Sequence, residues 1–364
     1  MAMGYIKQLD SLRAFAIFFV LCNHFLPHDS LFYKLSLIIF APDIFFTISG
    51  FLITMILLKD RRKAEANSTN KGRVFSDFFL KRALRIFPAY YLTLLVTFVL
   101  QPDSGPQYGP YLNFTANFDM YTNKYWGDLG HLWSMSVEQQ FYLFWPLVIL
   151  FIPRRFLPHT LVSFILVGII SQNLIPDKEF LWILPHTCFD ALGLGALLAW
   201  VVVEKNYSFP MVYKVLCVLG PLSILAITSQ NLWGDFPSPH HRSLMALIIC
   251  WAIGYFITVG NMEQDRFAWL FQNRALLLIG KISYGIYLYH VTLLNHSSRL
   301  LTEFNQFLPL PQWIKGNFYF YLTENLVLLM VGAWLSWKFF EVPVSNLKRH
   351  LKKETPKSVA QQTA

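Results

Sequence analysis

An all-α bundle of about ten transmembrane helices, with both termini cytoplasmic, is the fold this sequence predicts, and three observations predict it. Of 364 residues, 55% are hydrophobic and only 14% charged, and the mean hydropathy is +0.41, the balance of a polytopic chain whose solvent is lipid. Long apolar stretches recur at 11–27, 36–58, 86–101, 131–152, 159–175, 183–203, 211–230, 242–261, 275–295 and 318–341, and their lengths suit helices rather than strands. The basic residues alternate between the loops. Numbering from a cytoplasmic N-terminus puts 24 of the 30 Lys and Arg on the inner side, leaving Lys34, Lys124, Lys178, Arg242, Arg299 and Lys315 outside. Such an asymmetry is the signature of orientation in a membrane.

The net charge of +9 follows from the same topology and from contact with anionic headgroups of membrane lipids, and no nucleic-acid motif accompanies it. The N-terminus lacks the marks of a secretory signal or transit peptide, so its first span is expected to be retained. Residues 1–345 read as one membrane domain and 346–364 as a polar cytoplasmic tail, expected to be disordered. No long soluble domain interrupts the chain. The largest gaps are the basic stretch 59–85 and the Tyr-, Asn-, Gly- and Pro-rich stretch 102–130. Cys22, Cys188, Cys217 and Cys250 sit in apolar spans at unrelated spacings, which predicts packing roles, no disulfide framework and no metal.

The first span carries Asp10, Arg13 and His24. Eleven residues separate the last two, which returns a helix to nearly the same face about 16 Å further on. Ionisable groups are costly in lipid and usually face a cavity, a partner or a pathway. In the second span Asp43 is followed by Ser49-Gly50, small residues that let helices approach closely. Ahead of the third span, Phe78, Phe79, Arg82 and Arg85 form an amphipathic segment, and Pro88 is expected to begin the helix that follows. The fourth span pairs His131 with Glu138, seven apart, and the sixth pairs His186 with Asp190, four apart, each predicted to share one helix face. Gly193 and Gly195 read as packing residues. Trp133, Tyr142 and Tyr284 suit either the membrane interface or stacking on a sugar. The ninth span adds His290, and Glu341 closes the tenth.

On this topology the ionisable residues form two clusters. Asp10, Arg13, Lys81, Arg82 and Arg85 gather near the inner face, while His24, Asp43, His131, Glu138, His186, Asp190 and His290 gather in the outer half. Coenzyme A suits both ends: guanidinium forks would take its phosphates, and its pantetheine arm, about 15–20 Å long, resembles the rise from Arg13 to His24. An imidazole is suited to taking a hydroxyl proton near neutral pH, and Glu138 or Asp43 would orient it.

Six fragments, in order, then carry a resemblance. They are Leu9-Asp10-Ser11-Leu12-Arg13-Ala14 with His24, Asp43-Ile44-Phe45-Phe46-Thr47-Ile48-Ser49-Gly50-Phe51-Leu52-Ile53, and Lys81-Arg82-Ala83-Leu84-Arg85-Ile86-Phe87-Pro88. Next come His131-Leu132-Trp133-Ser134-Met135-Ser136-Val137-Glu138-Gln139-Gln140-Phe141-Tyr142, then Gly280-Lys281-Ile282-Ser283-Tyr284-Gly285-Ile286-Tyr287-Leu288-Tyr289-His290, and finally Phe340-Glu341-Val342-Pro343. From about residue 8 to 345 the chain resembles the membrane-bound acyltransferase family 3, which includes bacterial O-antigen, exopolysaccharide and peptidoglycan O-acetyltransferases. The resemblance implies a multi-pass protein of the bacterial inner membrane. It would move an acetyl or short acyl group from cytoplasmic acetyl-CoA to a hydroxyl of an extracytoplasmic glycan, such as lipopolysaccharide O-antigen, or of a lipid-linked saccharide. Arg13 and His24 match the family's arginine-and-histidine signature, and Arg82, Arg85 and Glu138 its other functional positions.

The expected site follows. His24, Glu138 and Asp43 are catalytic, with His24 as base. Arg13, Arg82, Arg85, Asp10, Lys81 and Ser49 hold the donor, and His131, Trp133, Tyr142, Asp190, Tyr284 and His290 meet the acceptor. One departure is visible: Cys188 stands two residues before Asp190, where members often carry an arginine. A proton-coupled transporter, or a membrane protein that binds acyl-CoA without transferring from it, is the competing expectation, since arrays of His, Asp and Glu also build proton relays.

Overall fold

The computed structural model describes residues 5–100, 108–175, 179–233, 241–260 and 265–347, with the side chains of 298–300 left aside. Most of the predicted tail lies outside these residues. Among them there is no strand, and ten long helices dominate: α1 (Gln8–Phe25), α2 (Ala41–Ala66), α3 (Lys71–Leu100), α4 (Trp133–Phe151), α5 (Leu157–Leu174), α6 (Phe189–Glu204), α7 (Phe209–Trp233), α8 (His241–Val259), α9 (Arg274–Phe307) and α10 (Phe318–Ser336). Eight helical stretches among the described residues are long and apolar enough to cross a membrane. The two long helices outside that set, α1 and α4, are diluted by Asp10, Arg13, Asn23 and His24 in one and by Glu138, Gln139 and Gln140 in the other. Part of their shortfall in apolar character therefore comes from residues expected to be functional, Asp10, Arg13, His24 and Glu138.

The closest packing is between α2 and α6. A Cβ built on Gly50 would lie 2.0 Å from the Leu192 carbonyl oxygen, and one on Gly195 would lie 2.1 Å from that of Thr47. Backbone thus meets backbone, the contact that small residues permit between helices in lipid, as expected for both glycines. A similar approach brings α9 onto α1, where a Cβ on Gly280 would fall 1.8 Å from the Asp10 carbonyl oxygen. This contact sets Lys281 and Ser283 beside the start of α1.

The stretch 59–85 differs from its expectation. It is almost wholly helical, because α2 runs on to Ala66 and α3 starts at Lys71. Long basic and acidic side chains are good helix formers, and Arg61 is tied to Glu65 one turn on at 2.8 Å. Pro88 does not begin a helix either: it lies inside α3, which passes through it. Neighbouring segments hold that helix on either side of the proline, as in other membrane helices. The Tyr284 hydroxyl donates to the Ile86 carbonyl at 2.7 Å and the Tyr90 hydroxyl donates to that of Tyr111 at 2.8 Å. Within 102–130 the chain forms two short helices, Tyr108–Leu112 and Ala116–Asn123. The side-chain amide of Gln140 docks them by donating to the Phe114 carbonyl at 2.8 Å and to Asn117 Oδ1 at 2.9 Å.

Arg61 locks one end of the bundle. Its guanidinium is buried and its Nη1 donates to the carbonyls of Ile149 and Ile152 at 2.6 and 2.8 Å. It therefore caps the C-terminus of α4, where carbonyls lack helical partners and the dipole favours a cation. Charged hydrogen bonds of this kind contribute about 1.5–3 kcal/mol each, so Arg61→Ala should cost roughly 3 kcal/mol and lower the thermal midpoint in detergent. An unchanged midpoint would show that the cap is ornamental.

Candidate active site

A cavity of about 100 Å³ opens between α1, α2, α3, α4 and α9. Four basic side chains line it, Arg13, Arg82, Arg85 and Lys281, against a single acid, Glu138. Each is set by its helix. Arg13 stands one turn above Asp10, whose Oδ1 accepts from its Nη1 at 2.9 Å, while the Tyr5 hydroxyl donates to Asp10 Oδ2. The buried carboxylate of Asp10 thereby fixes the direction of Arg13. Arg82 and Arg85 lie three apart on α3 and so face the same way. The guanidinium of Arg82 rests over the rings of Phe78 at 5.5 Å and Tyr142 at 5.7 Å, contacts that hold a cation in place while leaving its donors free.

Glu138 does not reach His24. Its carboxylate takes a hydrogen bond from Ser49 Oγ at 2.9 Å, and the Tyr142 hydroxyl donates to it at 3.3 Å. The expected pairing of Glu138 with His131 on one helix face fails for a local reason. His131 belongs to a 3₁₀ turn, Gly130–Leu132, ahead of α4, and the tighter turn changes the direction of its side chain. Ser49, Tyr142 and Tyr284 line the cavity with the arginines. Lys81 is not among its lining residues; Lys281 of α9 supplies a cation there.

His24 does not line this cavity. It is an exposed residue near the other end of α1, in edge-on contact with His290, ring centroids 4.8 Å apart. His131 stands on the other side of His290, also at 4.8 Å. Three expected residues from three segments thus form one row of imidazoles. Between the row and the basic cavity stands Tyr287, which with Ser134 lines the cavity. Its hydroxyl is 2.7 Å from Ser134 Oγ and donates to the His131 carbonyl at 2.5 Å, while its ring lies 5.6 Å from both His131 and His290. The route that coenzyme A would need to span both clusters is therefore interrupted by one tyrosine held by hydrogen bonds.

The other outer acids are engaged elsewhere. Asp43, expected to orient His24, is buried and accepts from Arg242 Nε at 2.6 Å. The same guanidinium donates to the carbonyls of Thr187 at 2.8 Å and Trp182 at 2.9 Å, and lies 3.0 Å from Cys188 Sγ. Arg242 of α8 therefore brings a guanidinium against Cys188, the position where the resemblance led to the expectation of an arginine. Asp190 accepts from Ser243 at 2.6 Å. His186 lies in a separate 3₁₀ segment, Pro185–Cys188, off the start of α6, so it shares no helix face with Asp190. Trp133 is buried in an aromatic cluster with Phe46 and Trp182 at 5.8 and 5.0 Å, which explains it as a packing residue.

Arg242, Lys281, Ser134 and Tyr287 were missed. In the sequence Arg242 and Lys281 read as charges of the topology, Lys281 also within a quoted fragment. Ser134 and Tyr287 lie within the quoted fragments, beside His131, Trp133 and His290. Among the described residues no group of three or more His, Cys, Asp or Glu is arranged to hold a metal ion.

Comparison with known proteins adds the following. A family model described as an acyltransferase domain matches residues 6–341. O-acetyltransferase OatA of Staphylococcus aureus (strain NCTC 8325 / PS 47) is 27% identical over 379 residues, covering 93% of this chain and 57% of its own length. A second protein of S. aureus (strain COL), provisionally named an O-acetyltransferase, is 27% identical over 382 residues, covering 94% and 57%. The chain thus spans a little over half the length of these relatives. No solved structure matches it.

Proposed function

Because the chain belongs to acyltransferase family 3, we propose that it is a membrane O-acetyltransferase that carries an acetyl or short acyl group from cytoplasmic acyl-CoA to a hydroxyl of an extracytoplasmic glycan. The observation that supports this most is the basic cavity. Four cations lining it against one acid are excess charge that a polyanion would neutralise, and the phosphates of coenzyme A supply it. Guanidinium groups grip phosphate through paired donors. With the basic cavity on the cytoplasmic side of an inner membrane, the orientation that the Lys and Arg distribution favours, the donor enters from the compartment that holds it.

The thioester then has to reach His24, further along α1. The wall in its way is Tyr287 with Ser134, and the pantetheine arm passes when that hydroxyl exchanges its present partners for others. His24 removes the proton of the acceptor hydroxyl as the new ester bond forms and the carbon–sulfur bond breaks, and the CoA thiolate leaves with the electron pair and is protonated. Glu138 acts at the donor end, where it balances the arginines and holds Ser49 and Tyr142. The acceptor meets His24 at its exposed face, so a surface glycan or a lipid-linked saccharide fits better than a soluble cytoplasmic substrate.

Two measurements test this. Mass spectrometry of cell-surface glycans should show acetyl esters that disappear when the protein is removed; identical spectra would refute the glycan acceptor. In inverted membrane vesicles given radiolabelled acetyl-CoA, Arg85→Gln should raise the KM for the donor about tenfold, the loss of roughly one charged hydrogen bond, with kcat little changed. An unaltered KM would remove Arg85 from the donor site. Solute flux in vesicles without CoA release would instead favour the transport reading.

A further inference from the structure

The row of imidazoles contains one ring whose hydrogen positions the structure fixes. His290 Nδ1 lies 2.7 Å from the Tyr287 carbonyl oxygen. A carbonyl can only accept, so Nδ1 carries the hydrogen, and in the neutral ring Nε2 is left as a bare lone pair. His290 is fully buried, and Nε2 has no hydrogen-bond partner. A buried acceptor left unsatisfied costs about 1–3 kcal/mol, so it is kept for a donor that arrives.

We propose that His290 positions His24 by accepting a hydrogen bond from it, in the place that a carboxylate takes in other imidazole bases. No carboxylate takes that place: Glu138 bonds to Ser49 and Tyr142, Asp43 to Arg242, and Asp190 to Ser243 of α8 through Oδ2. Two rings border His290 at the same separation. His131 is buried, whereas His24 is exposed, so His24 alone joins His290 to a surface that an acceptor reaches. With one nitrogen donating to His290 Nε2, the other nitrogen of His24 is necessarily the lone pair, and it faces the hydroxyl to be acylated. The same bond persists when His24 takes the proton and steadies the imidazolium formed. The inference rests on the reading of His24 as base and adds what sets its tautomer.

Two substitutions separate this role from packing. His290→Asn keeps an amide N–H close to Nδ1, able to donate to the Tyr287 carbonyl, and removes the acceptor at Nε2. His290→Gln places an amide oxygen close to Nε2 and so preserves an acceptor without a base. In vesicles holding the host's own envelope glycan and supplied with radiolabelled acetyl-CoA, His290→Asn should lower kcat by about a hundredfold or more with the donor KM unchanged, and His290→Gln should stay within about tenfold of the parent. Asn turning over like the parent, or Gln falling as far as Asn at equal thermal midpoint, would overturn the proposal. His24→Ala is run beside them. If it alone is inactive and His290→Asn is normal, only the positioning role fails; if His24→Ala is active, the base itself is misassigned.

Discussion

A His24→Ala protein, present in membranes at the parent level, should transfer acetyl groups about 10²- to 10⁴-fold more slowly, the range expected when a positioned base is lost. The structure makes this a clean experiment. His24 is exposed near the end of α1 and none of its ring atoms anchors another helix by an ion pair, so truncation leaves the fold intact and the thermal midpoint nearly unmoved. Binding of acetyl-CoA should persist too, because Arg13, Arg82, Arg85 and Lys281 line a cavity that does not include His24. The informative result is thus a protein that folds, binds its donor and does not turn it over. Parent-like transfer would remove the proposed base.

Arg242→Leu should have the largest effect on stability. Arg242 joins α8 to α2 through Asp43 at 2.6 Å, and to the segment before α6 through the Thr187 and Trp182 carbonyls. Its removal leaves the Asp43 carboxylate, 1% exposed, without its counter-ion. Breaking one side of a buried pair costs about 3–5 kcal/mol, a large part of the margin by which proteins stay folded. The folded fraction after detergent extraction should drop sharply. Asp43→Leu combined with Arg242→Leu should recover most of it, since an apolar replacement of both partners is often neutral. If the single variant extracts and melts like the parent, Arg242 is not the tie described here.

Much of this architecture was legible from the length and composition of the apolar runs. Each predicted apolar run holds a long helix, though α2, α3 and α9 extend well past their runs, and small residues such as Gly50 and Gly195 do mark places of close approach. The basic end of the site was legible as well, because Arg82 and Arg85 are neighbours on one helix and Asp10 lies one turn from Arg13. What escaped lies between elements. Nothing local to Arg242 tells that its side chain turns into the bundle, and Lys281 reaches the cavity only because Gly280 lets α9 settle against α1. The assignment of Glu138 to His24 failed because spacing along α4 fixes a face and not the neighbour opposite it. His131 slipped for a different reason, a 3₁₀ turn where an α-helix had been assumed.

The meshing of α2 with α6 bears on how the molecule opens. Two helices whose main chains touch through Gly50 and Gly195 have no side-chain cushion along which to slide, so they travel as one strut. If a thioester passes Tyr287 as proposed, the displacement falls to the other walls of the cavity, α1, α3, α4 and α9, moving against that strut. Arg13 and His24 on α1, Arg82 and Arg85 on α3 and His290 on α9 all stand outside the strut, so the paired glycines supply a fixed frame against which the walls of the proposed site can shift.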